Sequence, residues 1–290
     1  MDTMHAMDTM DVMDVMEVLS VSGAVHVPRS DSFALVSPES GREYRILLAC
    51  PEEPPPEGGY PVYYFLDGNA VFATAVEAAR LLSRRRGEPV VAPAIVVGIG
   101  YPTEQVFDPS RFYDFTMPVR PEELSFLPDG RPMPMLGGAD AFAMFIKEVL
   151  KPAVERRFPI DRSRQTLFGH SLGGLFALRM LFAFPDAFRT YIAGSPSIHW
   201  NRRPLRELEK AFAASVRGEP TDVRVLIAAG ELEDGHHSGM NGNAREQAGR
   251  LAALASYGVR SEYREFAGED HLSVLPVLIS HGLRFASMTS

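Results

Sequence analysis

The chain has 290 residues, 46% hydrophobic and 23% charged, enough for one large core or two small ones. A formal net charge of -8 argues against a surface that tracks nucleic-acid phosphates, and no apolar run is long enough to span a membrane. Its single cysteine, Cys50, excludes an internal disulfide, has no glycine turn around it and reads as buried filler.

Residues 1–19 repeat Met and Asp, as in Met1-Asp2-Thr3-Met4 and Met7-Asp8-Thr9-Met10, and are expected to form a flexible tail ahead of one domain over 20–290. They carry no basic start and no continuous apolar stretch, so no secretory signal is visible and a cytoplasmic location is expected. From residue 20 the pattern alternates between polar and apolar and is broken by turns, with strands expected at 24–27, 33–36 and 43–49 as an antiparallel entry to a sheet. Pro54-Pro55-Pro56-Glu57-Gly58-Gly59 is a solvated loop, and 61–65 reads as a strand buried on both faces.

Strand and helix then alternate. Helices are expected at 70–84, 140–156, 172–184, 204–217, 243–257 and from 274, with strands at 94–97, 166–168, 190–193, 223–228 and 262–266. This order predicts an α/β domain: right-handed crossovers, a mostly parallel sheet and helices on both faces. In the helix at 140–156, Phe142, Phe145, Ile146, Val149 and Val154 recur at helical spacing, and Pro152 should kink it. The alternation is interrupted once, by 98–136, rich in Pro, Arg, Phe and Asp. A loop of that length is expected to be functional, on the substrate side.

The stretch Phe168-Gly169-His170-Ser171-Leu172-Gly173-Gly174 places a serine between a strand and a helix, with glycines to let the backbone pass close by. A hydroxyl is a poor nucleophile at neutral pH, so the motif implies chemistry only if a base, an acid to orient it and oxyanion donors can be found. In a parallel sheet such groups collect in loops after strand carboxyl ends. His5 lies in the tail, His26 in an early strand, His170 in the elbow and His281 in the last helix, leaving His199, His236, His237 and His271 in loops.

His271 follows the last strand, where the general base belongs, and His236 and His237 come too early in the order serine, acid, histidine and read as solvated. The strand at 223–228 runs into Gly230-Glu231-Leu232-Glu233-Asp234, offering three carboxylates. Glu233 is favoured because it can curl back under the imidazole; Glu231, Asp234 and an acid-free Ser-His dyad stay open. The oxyanion donors are expected to be the backbone N–H of Leu172, after the nucleophile, and of Asn69, with Gly68 supplying the turn that aims it. No histidine or cysteine spacing supports a metal.

With these residues in place the chain resembles the putative-esterase branch of the α/β-hydrolases, and within it the siderophore esterases that hydrolyse ferric enterobactin and related tricatecholate trilactones. The stations are Tyr64 to Asn69, Val97-Gly98-Ile99-Gly100-Tyr101, Arg111 to Thr116, Gly138-Ala139-Asp140, the Gly169 to Gly174 elbow, Ser195-Pro196-Ser197, Gly230 to Glu233 and Gly268 to His271. The resemblance implies a carboxylic ester hydrolase with Ser171 as nucleophile, His271 as base, Glu233 as acid and Leu172 with Asn69 as oxyanion hole. It implies no cofactor and a small-molecule ester substrate, a ferric siderophore first among the candidates. A general or aryl esterase, an acyltransferase and a non-catalytic binder on the same scaffold are the alternatives.

Where related esterases often carry two adjacent tryptophans, this chain reads Ser197-Ile198-His199-Trp200-Asn201. Arg111, Trp200 and His170 are the candidates for substrate contact. Arg111, Arg120 and Arg131 in the long loop, or Arg202 and Arg203 after Trp200, are the candidates for a basic wall facing a negatively charged ferric ligand.

Overall fold

A computed structural model describes residues 26–84, 90–124, 134–235 and 238–288. The expected tail at 1–19, His236, His237 and Arg131 lie outside the described residues. Among the described residues eight strands form one sheet: β1 (Ser30–Val36), β2 (Glu43–Ala49), β3 (Tyr60–Leu66), β4 (Ile95–Gly100), β5 (Ile160–His170), β6 (Thr190–Gly194), β7 (Val223–Gly230) and β8 (Val259–Phe266), in the order β1-β2-β4-β3-β5-β6-β7-β8. β1 and β2 pair antiparallel, β2 meets β4 antiparallel, and every pairing from β4 to β8 is parallel. This is the α/β-hydrolase sheet with its antiparallel entry. The strand expected at 24–27 is absent at residues 26 and 27, and its first half lies outside the described residues.

All seven residues of β3 are buried, as a central parallel strand covered on both faces requires. Its alternate side chains feed two cores. Val62, Tyr64 and Leu66 join Phe142, Leu175, Leu205 and Ala244, while Tyr63 and Phe65 join Val71, Phe72, Val274 and Leu278. The first face is therefore covered by the helices α3 (139–157), α4 (Leu172–Ala183), α5 (Arg202–Gly218) and α6 (Met240–Ala252), and the second by α1 (Gly68–Ser83) and α7 (Val274–Ser287).

Pro152 does not break α3. The helix widens into a π-type stretch over Phe145–Leu150 and resumes its α form at Lys151–Arg157, with the proline in the first turn of the resumed segment. A wider turn is one way to accommodate a residue with no N–H and a ring that crowds the preceding turn. The segment 98–136 also has more structure than its sequence suggests. Its start completes β4, a short helix α2 spans Arg111–Phe115, and a 3-10 turn spans Pro121–Leu124. Residues 125–133 lie outside the described residues.

The loop is tied down by polar contacts that hydrophobic periodicity cannot reveal. The Asn201 side chain brackets Met117, accepting from its N–H at 2.9 Å and donating to its carbonyl at 3.0 Å, and the Tyr101 hydroxyl donates to Asp114 at 3.0 Å. β3 and β5 are neighbours although β4 leaves β3 on its other side, so the sheet reverses direction of growth between them. Loops diverge at such a point, and a crevice opens beyond the strand ends. Among the described residues no helix is long and apolar enough to cross a membrane.

Candidate active site

Ser171 sits between β5 and α4 with φ 60° and ψ -118°, a backbone conformation that a side-chain-bearing residue adopts only under constraint. The constraint is visible at Gly169, where a Cβ would lie 2.0 Å from the carbonyl oxygen of Gly173. Strand and helix are pressed together there, and the serine is levered out above the sheet edge. Its Oγ lies 3.1 Å from His271 Nε2 and 3.2 Å from Ser197 Oγ.

His271 comes from the loop after β8, and its side chain keeps 39% of its surface exposed. The loop is shaped by Asp270, whose Oδ1 accepts the N–H groups of Leu272 and Ser273, each at 2.8 Å. Nδ1 of His271 lies 2.6 Å from Oε2 of Glu233. Glu233 is buried in a 3-10 turn after β7, and its Oε1 accepts from Ser195 Oγ at 2.6 Å and from the Gly230 N–H at 2.8 Å. Burial by itself would raise the Glu233 pKa, but the bonds from His271, Ser195 and Gly230 outweigh it and hold the carboxyl below the ordinary range.

Of the three carboxylates, Glu233 alone reaches the imidazole. Glu231 accepts the Gly268 N–H at 2.8 Å, and exposed Asp234 lies 3.8 Å from Arg245.

On the other side of the elbow, Leu172 heads α4 and Asn69 stands in the first turn of α1, where backbone N–H groups lack intrahelical acceptors. The Asn69 side chain is committed elsewhere, accepting from Tyr101 N–H at 2.8 Å and donating to the carbonyls of Tyr101 and Thr103 at 3.1 and 2.7 Å. Its backbone amide is what it can offer a ligand. The expected turn at Gly68 is corrected: Asp67 takes the left-handed conformation, with φ 53°. Gly68 is needed for space, since a Cβ there would lie 2.7 Å from the Gly98 backbone.

Two of the three expected substrate contacts, Arg111 and His170, are buried and are also corrected. Arg111 is 8% exposed and forks onto Asp67, with Nε and Nη2 each 2.8 Å from a carboxylate oxygen, so it is no free cation. His170 is 4% exposed and lies under His271, with ring centroids 4.7 Å apart. Burial lowers its pKa to about 3, which keeps it neutral. Half-buried Trp200 packs against Phe112, with ring centroids 5.3 Å apart, and its neighbour His199 lines the cleft. Of the remaining expected cations, Arg203 pairs with Glu123 and Glu207, while Arg120 and Arg202 are exposed.

The cleft beside the triad has a volume of about 630 Å³ and carries Leu232, Met240 and Leu272 as its apolar surface. Sequence reasoning singled out neither Ser195 nor Ser197 as a functional side chain, although Ser195-Pro196-Ser197 ends a buried strand beside the elbow. Two hydroxyls at the carboxyl end of β6 were the available signal. Among the described residues no cluster of His, Cys, Asp and Glu is suited to a metal.

The family model described as Putative esterase matches residues 37–274. The ferri-bacillibactin esterase BesA of Bacillus subtilis is 50% identical over 265 residues, covering 91% of this chain and 92% of its own. A siderophore enterobactin esterase of Emericella nidulans is 37% identical, covering 78% of this chain and 82% of its own. The crystal structure of the BES protein from Bacillus cereus superimposes with a TM-score of 0.85 at 40% identity, covering 92% of this chain and 99% of that one. A family match over most of the domain and relatives aligned nearly end to end agree with the sheet order and the serine elbow: the chain belongs to the putative-esterase family of α/β-hydrolases.

Proposed function

We propose that this protein hydrolyses the ester bonds of a trilactone siderophore, with Ser171 as nucleophile, His271 as general base and then general acid, Glu233 as the orienting carboxylate, and the backbone amides of Leu172 and Asn69 as the oxyanion hole. The observation that carries the reading is the unbroken relay from Ser171 Oγ to His271 Nε2 at 3.1 Å and from His271 Nδ1 to Glu233 at 2.6 Å. Ser171 Oγ attacks the ester carbonyl as its proton passes to Nε2. The carbonyl π electrons move to oxygen, where the two amides meet the negative charge. Collapse of the tetrahedral intermediate expels the alcohol, which takes the proton from Nε2, and leaves an acyl-serine. Water, deprotonated by His271, then releases the carboxylic acid and restores Ser171.

The substrate class rests on the relatives, which are siderophore esterases, and on a cleft with an apolar border large enough for one arm of a bulky ester. Ser171→Ala is expected to lower kcat on a short nitrophenyl ester by roughly 10⁴-fold or more with folding retained. Undiminished turnover would remove Ser171 from the mechanism. Product analysis on ferric and metal-free trilactones, against feruloyl and short acyl esters, tests the substrate. The trilactones should give the highest kcat/KM, and a preference for feruloyl or short esters would assign the protein to general ester hydrolysis instead.

A further inference from the structure

Asp67 occupies the N-cap position of α1, where an aspartate ordinarily accepts the amides of the first turn, yet its side chain makes no cap bond. Both carboxylate oxygens are held by Arg111, at 2.8 Å each, in a pair buried to 4% and 8% exposure. The Asp67 carbonyl takes the N–H groups of Ala70 and Val71. The amides of Gly68 and Asn69, ahead of them in the first turn, are left with neither an intrahelical acceptor nor a capping carboxylate.

The same pair reaches the elbow. Arg111 Nη2 lies 3.4 Å from the carbonyl of His170, the residue before the nucleophile, and a Cβ on Gly173 of α4 would lie 3.4 Å from Asp67 Oδ2. From the other side, the Asn69 side chain pins the loop to Tyr101 at the end of β4. An unpaired carboxylate here would repel a developing oxyanion and compete with it for the amides; the guanidinium fork removes both effects.

We propose that Arg111 and Asp67 are positioning residues for the oxyanion hole: the pair withdraws the Asp67 carboxylate from its own helix, leaves the α1 amides to the oxyanion, and fixes their distance from the Leu172 amide. The proposal rests on the serine-esterase reading given above. A displacement of about 1 Å in such a site costs on the order of 10²-fold in rate.

The test compares Arg111→Lys, Asp67→Asn and the double variant Asp67→Asn/Arg111→Gln with wild type, using a nitrophenyl ester and a boronic acid that forms a tetrahedral adduct on Ser171. Each variant should lose roughly 10²-fold in kcat and a similar factor in boronate affinity, with KM moving by less than about threefold. The double variant carries no buried charge, so it should regain the urea midpoint lost by the single variants without regaining kcat. Wild-type kcat and boronate affinity in Arg111→Lys, or recovery of kcat along with stability in the double variant, would reduce the pair to a structural ion pair and overturn the proposal. Loss of activity in Ser171→Ala alongside full activity in Arg111→Lys would sink this proposal alone; activity retained in Ser171→Ala would sink the reading beneath it.

Discussion

The two flanks of the elbow are built on opposite principles. On the β6-β7-β8 side stand His271 and Glu233, and the imidazole keeps 39% of its side chain exposed while the carboxylate beneath it is 5% exposed. On the β3-β4 side stand Asp67, Gly68 and Asn69, sealed by an ion pair with 4% and 10% side-chain exposure. In the proposed reaction one flank moves protons and accepts water, and His271 borders the cleft. The other has only to hold dipoles still, and a buried bidentate pair does this at the cost of desolvating two charges. β5 separates them, so the serine meets the mobile chemistry from one side and the fixed electrostatics from the other.

That division can be broken at several points. The largest effect beyond the nucleophile itself is expected for Glu233→Gln, which keeps the shape but removes the charge and favours the wrong imidazole tautomer. A loss of roughly 10³- to 10⁴-fold in kcat is expected, and a loss below tenfold in stopped-flow assays would show that Ser171 and His271 work as a dyad. The oxyanion flank follows, with the Arg111 and Asp67 variants near 10².

Ser195→Ala should cost about tenfold in kcat. It removes one of the bonds that hold Glu233 ionised, worth roughly 1.5–3 kcal/mol for a charged acceptor, and leaves the Gly230 N–H in place. Carboxyl titration by NMR should then find the Glu233 pKa higher than in wild type; an unchanged value would remove Ser195 from the acid–base flank.

The smallest effect on rate, but a clear one on stability, is expected at His170. Its pKa falls from an ordinary 6.5 to about 3 on folding. Between those values the unfolded chain binds the proton and the folded protein does not, so the group's penalty is absent above about pH 6.5 and grows as pH falls, at about 1.4 kcal/mol per unit. Asp114, raised by burial from 3.8 to about 6, acts in the opposite direction within that window, since its folded form holds the proton more tightly. The His170 contribution is therefore the difference between wild type and His170→Phe in urea midpoints measured from pH 7 to 4. The variant should lose less stability on acidification, and parallel curves would mean that His170 can take up a proton in the folded state.

Much of this was legible beforehand, for identifiable reasons. The alternation of strand and helix, the burial of 61–65 and the elbow at Ser171 are local patterns, and local patterns are written in periodicity and glycine placement. Arg111 misled because its charge suggested solvent, and its partner is 44 residues away. Trp200 was ambiguous in sequence because a lone tryptophan reads equally as a platform or as packing, and only the tertiary structure places Phe112 beside it. Gly68 looked like the residue that turns the chain, but the left-handed conformation fell to Asp67, whose side chain is bound from outside the loop.

By itself, then, the sequence determined the α/β class, the antiparallel entry, the serine elbow and the order of the loops that carry its candidate partners, because each depends on short-range spacing or on which strand a loop follows. The choice of Glu233 over Glu231 and Asp234, the burial of Arg111 and the neutral state of His170 were decided by the tertiary structure. Each depends on which oxygen or nitrogen comes within about 3 Å of a group far along the chain. Glu233 meets a histidine 38 residues away, and Ser171 meets the same histidine across 100 residues.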